Sequence, residues 1–214
     1  MCGRAGTATG QNAARPGTGA PPQAKAKAKA KARVAPAVAL AAPPAPHAPV
    51  GRAGALSLEV LDTIEWYGAI LQQVEYASEV VLATYMFDHK PLTELFLQRL
   101  ASRFAFDLTI LIDQEMLHGR TPYHQRARLD SLRRAHANIW LLCQGMSGRG
   151  AMHMKALVCD RRWAFTGSAN FTTKSMENAE LCMRMRGPPV QSILGRMEAV
   201  RLNAVSWDGT LPSR

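Results

Sequence analysis

From residue 56 onward the apolar positions switch between two spacings, and each switch predicts a change of secondary structure. "LSLEVLDTIEWYGAILQQVEYA" spaces its apolar residues in threes and fours and predicts an opening helix, with Leu58, Ile64, Ile70, Leu71 and Val74 on the buried stripe. "EVVLATYMF" is almost wholly apolar and reads as a buried strand. In "PLTELFLQRLASRF", Pro91 opens a helix at a place where its missing N–H does no harm. "DLTILID", "TPYHQRARLDSLRRAH" and "NIWLLC" read as strand, helix and strand. This β-α-β-α-β order predicts parallel strands covered on both faces, because each crossover returns the chain in the same direction. Beyond the loop "QGMSGRG", residues 152–171 predict a β-hairpin, "AELCMRMR" another strand, and Pro188 or Pro189 the start of a last helix. The fold class expected is α/β, a mixed and largely parallel sheet flanked by helices on both faces. It spans residues 56–206, with 207–214 a short C-terminal tail.

Charge changes the picture mainly by where it lies. The 214-residue chain carries a formal +10, from 26 basic and 16 acidic residues. Eight of the basic groups fall before residue 55 and no acid precedes Glu59, so the body holds 18 basic residues against 16 acidic ones. A strongly basic folded surface is therefore not expected, which counts against a protein that tracks along nucleic acid. Residues 1–55 are rich in Ala, Pro, Gly and Lys and have few large apolar groups to bury, so they are expected to be disordered. Three readings of that tail stay open: a mitochondrial transit peptide, a flexible linker and a weak polyanion-binding arm. Its longest apolar run, "VAPAVALAA", is too short to span a bilayer and is broken by Pro36, and no transmembrane segment is visible.

Reactive side chains gather in "MHMKALVCDRRWAFTGSANF". Alternation along a strand puts His153 and Lys155 on one side and Ser168 and Asn170 on one side. Folding the strands back around Arg161 and Arg162 sets His153 beside Asn170 and Lys155 beside Ser168. Such a cluster suits phosphodiester chemistry. Imidazole can attack phosphorus or protonate a leaving oxygen, and Lys155 offers a fixed positive charge to the phosphate oxygens. The Asn170 amide and Ser168 hydroxyl add donors, and Gly167 would let a phosphate approach the backbone. Asp160 lies on the opposite parity and is expected to hold the hairpin turn more than to touch substrate.

The run His153-x-Lys155, Asp160 and Gly167-Ser168-x-Asn170 matches every defined position of H-x-K-x4-D-x6-G-S-x-N, and so resembles the phospholipase D superfamily. "EVVLATYMF", "DLTILID" and "SMENAEL" look like further segments of that family, and the resemblance covers residues 57 to about 205. It implies a phospholipase D-like hydrolase, acting on a cardiolipin-like phospholipid or on single-stranded nucleic acid through a phosphohistidine. Only one copy of the motif is present, so the resemblance to small single-motif members implies a homodimer that completes the site. The small members it resembles are mitochondrial cardiolipin hydrolase, the Zucchini-type endonuclease, and small bacterial endonucleases. By resemblance Glu180 hydrogen-bonds the catalytic imidazole, no metal or cofactor is needed, and membrane contact is peripheral. The chain departs from Zucchini-type members in showing neither a membrane helix nor a zinc-binding insertion, and Ala156 follows the motif lysine. A non-catalytic phosphate- or lipid-binding scaffold is the competing reading, and the intact His153 argues against it.

The remaining candidates carry less. Cys143, Cys159 and Cys182 sit in apolar stretches without metal-binding spacing and are expected to be buried thiols. His89 lies just past a strand's C-terminal end, a usual place for substrate contacts. Asp113 is expected to cap the loop after its strand, and His118, His124 and His136 to be solvated.

Overall fold

The structure is a computed structural model, and it describes residues 55–102, 104–117, 123–143 and 151–210. The expected disordered tail, His118 and the loop "QGMSGRG" lie outside these residues. Among the described residues eight strands form one sheet: β1 (Ser57–Leu61), β2 (Glu79–Thr84), β3 (Asp107–Asp113), β4 (Asn138–Leu142), β5 (Lys155–Cys159), β6 (Trp163–Gly167), β7 (Cys182–Arg186) and β8 (Val205–Ser206). Their order is β1-β7-β6-β5-β2-β3-β4-β8. Four helices accompany them, α1 (Thr63–Tyr76), α2 (Lys90–Leu100), α3 (Tyr123–Arg134) and α4 (Pro188–Arg201).

The mixed α/β class stands, and the sheet's balance is corrected. Only the β2–β3 and β3–β4 pairings are parallel, joined by α2 and α3 as the crossover pattern requires. The other pairings, β1 with β7, β2 with β5, β4 with β8, β5 with β6 and β6 with β7, are antiparallel. β5, β6 and β7 alternate in direction because no α-helix crosses over between them.

Period-2 burial divides the sheet into two apolar layers. Val80, Leu82, Leu108, Ile110, Ile112, Leu157 and Phe165 pack with Trp66 and Ile70 of α1, Phe96 of α2 and Leu132 of α3. On the other face, Ala83, Leu111, Ala156, Val158 and Ala164 pack with Val190, Leu194 and Met197 of α4. Trp207, assigned to the C-terminal tail from sequence, is 4% exposed and belongs to the first layer, so the body reaches past residue 206.

The expected opening helix is two elements. Residues 57–61 alternate and pair antiparallel with β7, and Asp62 then starts α1 with a capping box. Its side chain accepts from the Glu65 N–H at 2.8 Å, while Glu65 accepts from the Asp62 N–H at 3.3 Å. Leu58 and Ile64, placed on the buried stripe, are 54% and 69% exposed, whereas Ile70 and Val74 are fully buried. Among the described residues, no helix is long and apolar enough to cross a membrane.

Candidate active site

The reactive residues meet where the parallel strands end. In the ladder Lys155 lies opposite Thr84, the last residue of β2, and Gly167 pairs with Cys182 on β7. This is the edge at which open α/β sheets place their ligands. The segment before β5 that carries His153 is fastened from two strands. The Met152 N–H donates to Asp113 Oδ2 at 2.7 Å, and the Met154 carbonyl accepts from the Tyr85 N–H at 3.2 Å. Asp113 is fully buried, and its other oxygen accepts from the Glu115 N–H at 2.9 Å. It caps its own loop, as its sequence position suggested, and it also holds the loop of the histidine.

His153 is exposed, while Lys155 beside it is only 8% exposed. The lysine Nζ lies 3.0 Å from His153 Nδ1, 3.4 Å from Nε2 and 3.1 Å from the His153 carbonyl. An ammonium has donors only, so the ring nitrogen that meets it accepts through its lone pair. Tyr85 packs against the same ring, with centroids 4.9 Å apart. Burial holds the Lys155 amine below its ordinary range, and the charge of Glu180 partly opposes that shift.

The register differs by one residue from the expected one. Ala156 faces Thr166 and Cys159 faces Trp163, which puts Asp160, Arg161 and Arg162 in a three-residue turn. Asp160 and Arg161 adopt left-handed φ values of 49° and 56°, so the chain spends one more residue turning than a fold around Arg161-Arg162 allows. His153 and Asn170 consequently sit in the loops beyond the strand ends, and the cross-strand pairs of His153 with Asn170 and of Lys155 with Ser168 do not form. Gly167 also has a different reason from the one expected. A Cβ there would lie 2.4 Å from the Leu181 carbonyl oxygen, so the glycine admits the β7 backbone.

Ser168 and Glu180 form their own unit. The Ser168 hydroxyl donates to Glu180 Oε2 at 2.5 Å and accepts from the Leu181 N–H at 3.0 Å, and Glu180 Oε1 accepts from Asn178 at 3.2 Å. The serine proton is thus committed to Glu180. The carboxylate bonds Ser168 and Asn178 in place of the imidazole that the resemblance assigned to it. Asn170 lies half-buried in the loop that follows β6. Its Oδ1 is buried and finds no donor among the described residues.

Asp160 lies at the far end of β5, about 16 Å from Lys155 by strand rise. There it accepts from the Ser78 and Glu79 N–H groups at 2.8 and 3.0 Å. It belongs to the turn, as its parity indicated, and takes no part in the site. His89 is 1% exposed and is not a substrate contact. Its Nδ1 accepts from the Leu92 N–H at 3.3 Å to cap α2, its ring stacks on Tyr67 at 4.3 Å, and burial lowers its pKa to about 4. Cys143, Cys159 and Cys182 are free and buried, and burial pushes each thiol up. Among the described residues no group of three His, Cys, Asp or Glu side chains is placed to hold a metal ion.

Three residues at the site escaped sequence reasoning: Asp113 in its second role, Tyr85 and Tyr67. The Tyr67 phenol donates to the Asn170 carbonyl at 2.5 Å from inside the core. Only a strand-end position hinted at the first two, and helical spacing gives Tyr67 no mark apart from its buried neighbours.

Residues 70–199 match the family model described as cardiolipin synthase, PLD-like domain. None of the curated proteins is significantly similar in sequence. Among solved structures, the phospholipase D family member Nuc from Salmonella typhimurium is similar over 72% of this chain and 99% of its own, at 18% identity and a TM-score of 0.60. NucT from Helicobacter pylori is similar over 72% and 100%, at 18% identity and a TM-score of 0.61. Phosphatidylserine synthase from Haemophilus influenzae Rd KW20 is similar over 71% of this chain and 40% of its own, at 14% identity and a TM-score of 0.55.

Proposed function

The chain belongs to the phospholipase D-like family matched by residues 70–199, and on that premise we propose that it is a phosphodiesterase whose nucleophile is His153. One observation carries this reading: an exposed imidazole with the buried amine of Lys155 3.0 Å from its Nδ1. A phosphodiester entering there would bring its oxygens to Lys155 and to the Asn170 NH2, and its phosphorus to the imidazole. The P–N bond forms as the P–O bond to the leaving group breaks, and the donors offset the charge that gathers on the phosphoryl oxygens. A leaving alkoxide needs a proton, and within this subunit Lys155 and Tyr85 already flank His153. The reading therefore takes His153 of a second copy as the acid, which afterwards removes a proton from the water that displaces the phosphohistidine. A twofold dimer supplies both imidazoles from one self-complementary contact.

A cardiolipin-like phospholipid is the first substrate to try, because the matching family model carries that name, and single-stranded nucleic acid is the second. Mitochondrial residence belongs to the same reading and rests on the N-terminal tail alone. Purified protein assayed in EDTA on a generic bis-aryl phosphodiester, with His153→Asn as control, separates enzyme from scaffold. Chelator-resistant turnover that the substitution abolishes supports the proposal. Binding without turnover supports the scaffold, and full activity from a strict monomer rules out the shared site. Parallel arms with cardiolipin vesicles and labelled single-stranded RNA and DNA assign the substrate.

A further inference from the structure

The buried Asn170 Oδ1 has no donor among the described residues. An acceptor left in that state costs about 1–3 kcal/mol. A free loop would rotate to hydrate the oxygen, and the NH2 would then lose its place. Something must hold residue 170 against that relaxation.

The holding group is on α1. The Asn170 carbonyl accepts from Tyr67 Oη at 2.5 Å, and the Thr172 N–H donates to the same oxygen at 2.8 Å and lies 3.2 Å from Tyr67 Oη. A phenol has one proton to give. The 2.5 Å contact takes it, and the phenol oxygen is left to accept from Thr172. Burial pushes the phenol's pKa up, so it stays a donor across working pH. The ring itself is clamped, stacked on His89 at 4.3 Å and edge-on to Trp66 at 5.2 Å and to Phe171 at 6.5 Å. His89 is held in turn by its cap on α2 and by Met176 Sδ, 3.2 Å from its Nε2. The neighbouring loop positions have separate anchors. The Phe171 carbonyl accepts from the Asp88 and His89 N–H groups at 2.9 and 3.1 Å, and the Thr173 N–H donates to Asp88 Oδ1 at 2.7 Å.

We propose that Tyr67 is a positioning residue: its phenol grips the backbone on both sides of Phe171 and so keeps the NH2 end of the Asn170 amide turned toward the substrate phosphate. The inference rests on the phosphodiesterase reading and adds to it a residue that never touches substrate.

Tyr67→Phe tests it, because the ring stays in its cluster and the loop stays tied at 171 and 173, while the Asn170 carbonyl loses the phenol and keeps only the Thr172 N–H. On the bis-aryl phosphodiester, kcat is expected to fall about tenfold or more with KM within about twofold. In an Asn170→Ala background the same substitution is expected to cost less than about twofold, since its target is already gone. Replacing Tyr67 with 4-aminophenylalanine, which restores a donor on the ring, is expected to return kcat to within about threefold of wild type. Multiplying effects in the double variant, or a folded Tyr67→Phe with wild-type kcat, overturns the proposal. If Tyr67→Phe does not fold, the aminophenylalanine protein decides alone, and a kcat as low as that of Asn170→Ala overturns it. Calorimetric binding of tungstate gives a readout apart from turnover. Tyr67→Phe should weaken it as much as Asn170→Ala does, and the double variant no further. If the wild type binds tungstate without turning over substrate, the enzyme reading fails while this binding cycle still decides the role of Tyr67.

Discussion

The β5–β6 hairpin is finished in opposite ways at its two ends. At the closed end, Asp160 accepts from the Ser78 and Glu79 N–H groups, its own N–H donates to the Glu79 carbonyl at 2.9 Å, and the Arg162 N–H returns to Cys159 at 3.0 Å. The Asp160 carboxylate, its N–H and the Arg162 N–H all have partners. At the open end an imidazole stands exposed, a lysine amine is buried against it, and an asparagine oxygen has no donor among the described residues. The six defined motif positions therefore do two jobs. Asp160 and Gly167 set the path of the chain and Ser168 is tied to Glu180 and Leu181, whereas His153 stands exposed, the Lys155 amine bonds only to His153, and the Asn170 oxygen has no donor among the described residues. A saturated frame can carry such local cost because the cost is met elsewhere in the structure.

Substitutions at the two ends should part activity from stability. His153→Asn is expected to lower kcat at least about 10³-fold, near 4 kcal/mol of barrier. The exposed side chain contributes little packing, so its thermal midpoint should stay within about 2 °C of wild type. Asp160→Ala should do the reverse. It strips two N–H groups of a charged acceptor and leaves a left-handed φ to a residue that disfavours it, for about 3 kcal/mol in urea unfolding with kcat per folded molecule unchanged. A large kcat loss in Asp160→Ala protein that remains folded would erase the division between the ends.

Much of this was legible before any coordinates. Apolar spacing and helix-start prolines located β2 to β7 and all four of the described helices, because most of those elements bury an apolar face whose spacing is their signature. The residues of the motif were named for the same reason that they could be matched: their types and intervals are fixed. Two kinds of information were missing. One is register, which turned on whether Asp160 belonged to the strand or to the turn, a choice made by its backbone angle and not by its chemistry. The other is partnership at a distance. Nothing in the order of residues tells Ser168 to spend its proton on Glu180, or Tyr67 to reach a carbonyl 103 positions away. The opening strand β1 was lost because its alternation runs straight into a helix, and only Asp62 separates them.

A further contrast sets His89 in the core against His153 at the rim. Burial lowers the folded-state pKa of His89 from 6.5 to about 4. The unfolded chain thus takes up the proton first as pH falls. Stability is complete above about pH 6.5, declines from there to about pH 4 and levels off below, a loss of about 2 kcal/mol after allowing for partial solvent screening. His89→Asn, which can still cap α2, should flatten that part of the profile in urea titrations at pH 4 to 7. An unchanged acid slope in the variant would show that a different group carries it.

The smallest expected effect gives the finest cut between frame and site. Lys155 sits at the open end, yet it is buried like a frame residue, and its amine is held below the ordinary range chiefly by loss of water. A lysine with a lowered folded pKa binds fewer protons in the native state than in the unfolded one, so native stability rises with pH between the folded value and about 10.5. Lys155→Met keeps the length of the stem and discards the charge that burial disfavours. It should leave stability at pH 7 unchanged or raise it by less than about 1 kcal/mol, and it should remove the alkaline rise. The same protein should lose most of its turnover, because the phosphate oxygens lose their cation. Urea midpoints at pH 7 and 9.5, read beside kcat, check both halves of this expectation. A variant clearly less stable than wild type at pH 7 would mean that Lys155 is part of the frame, held by its bonds to His153.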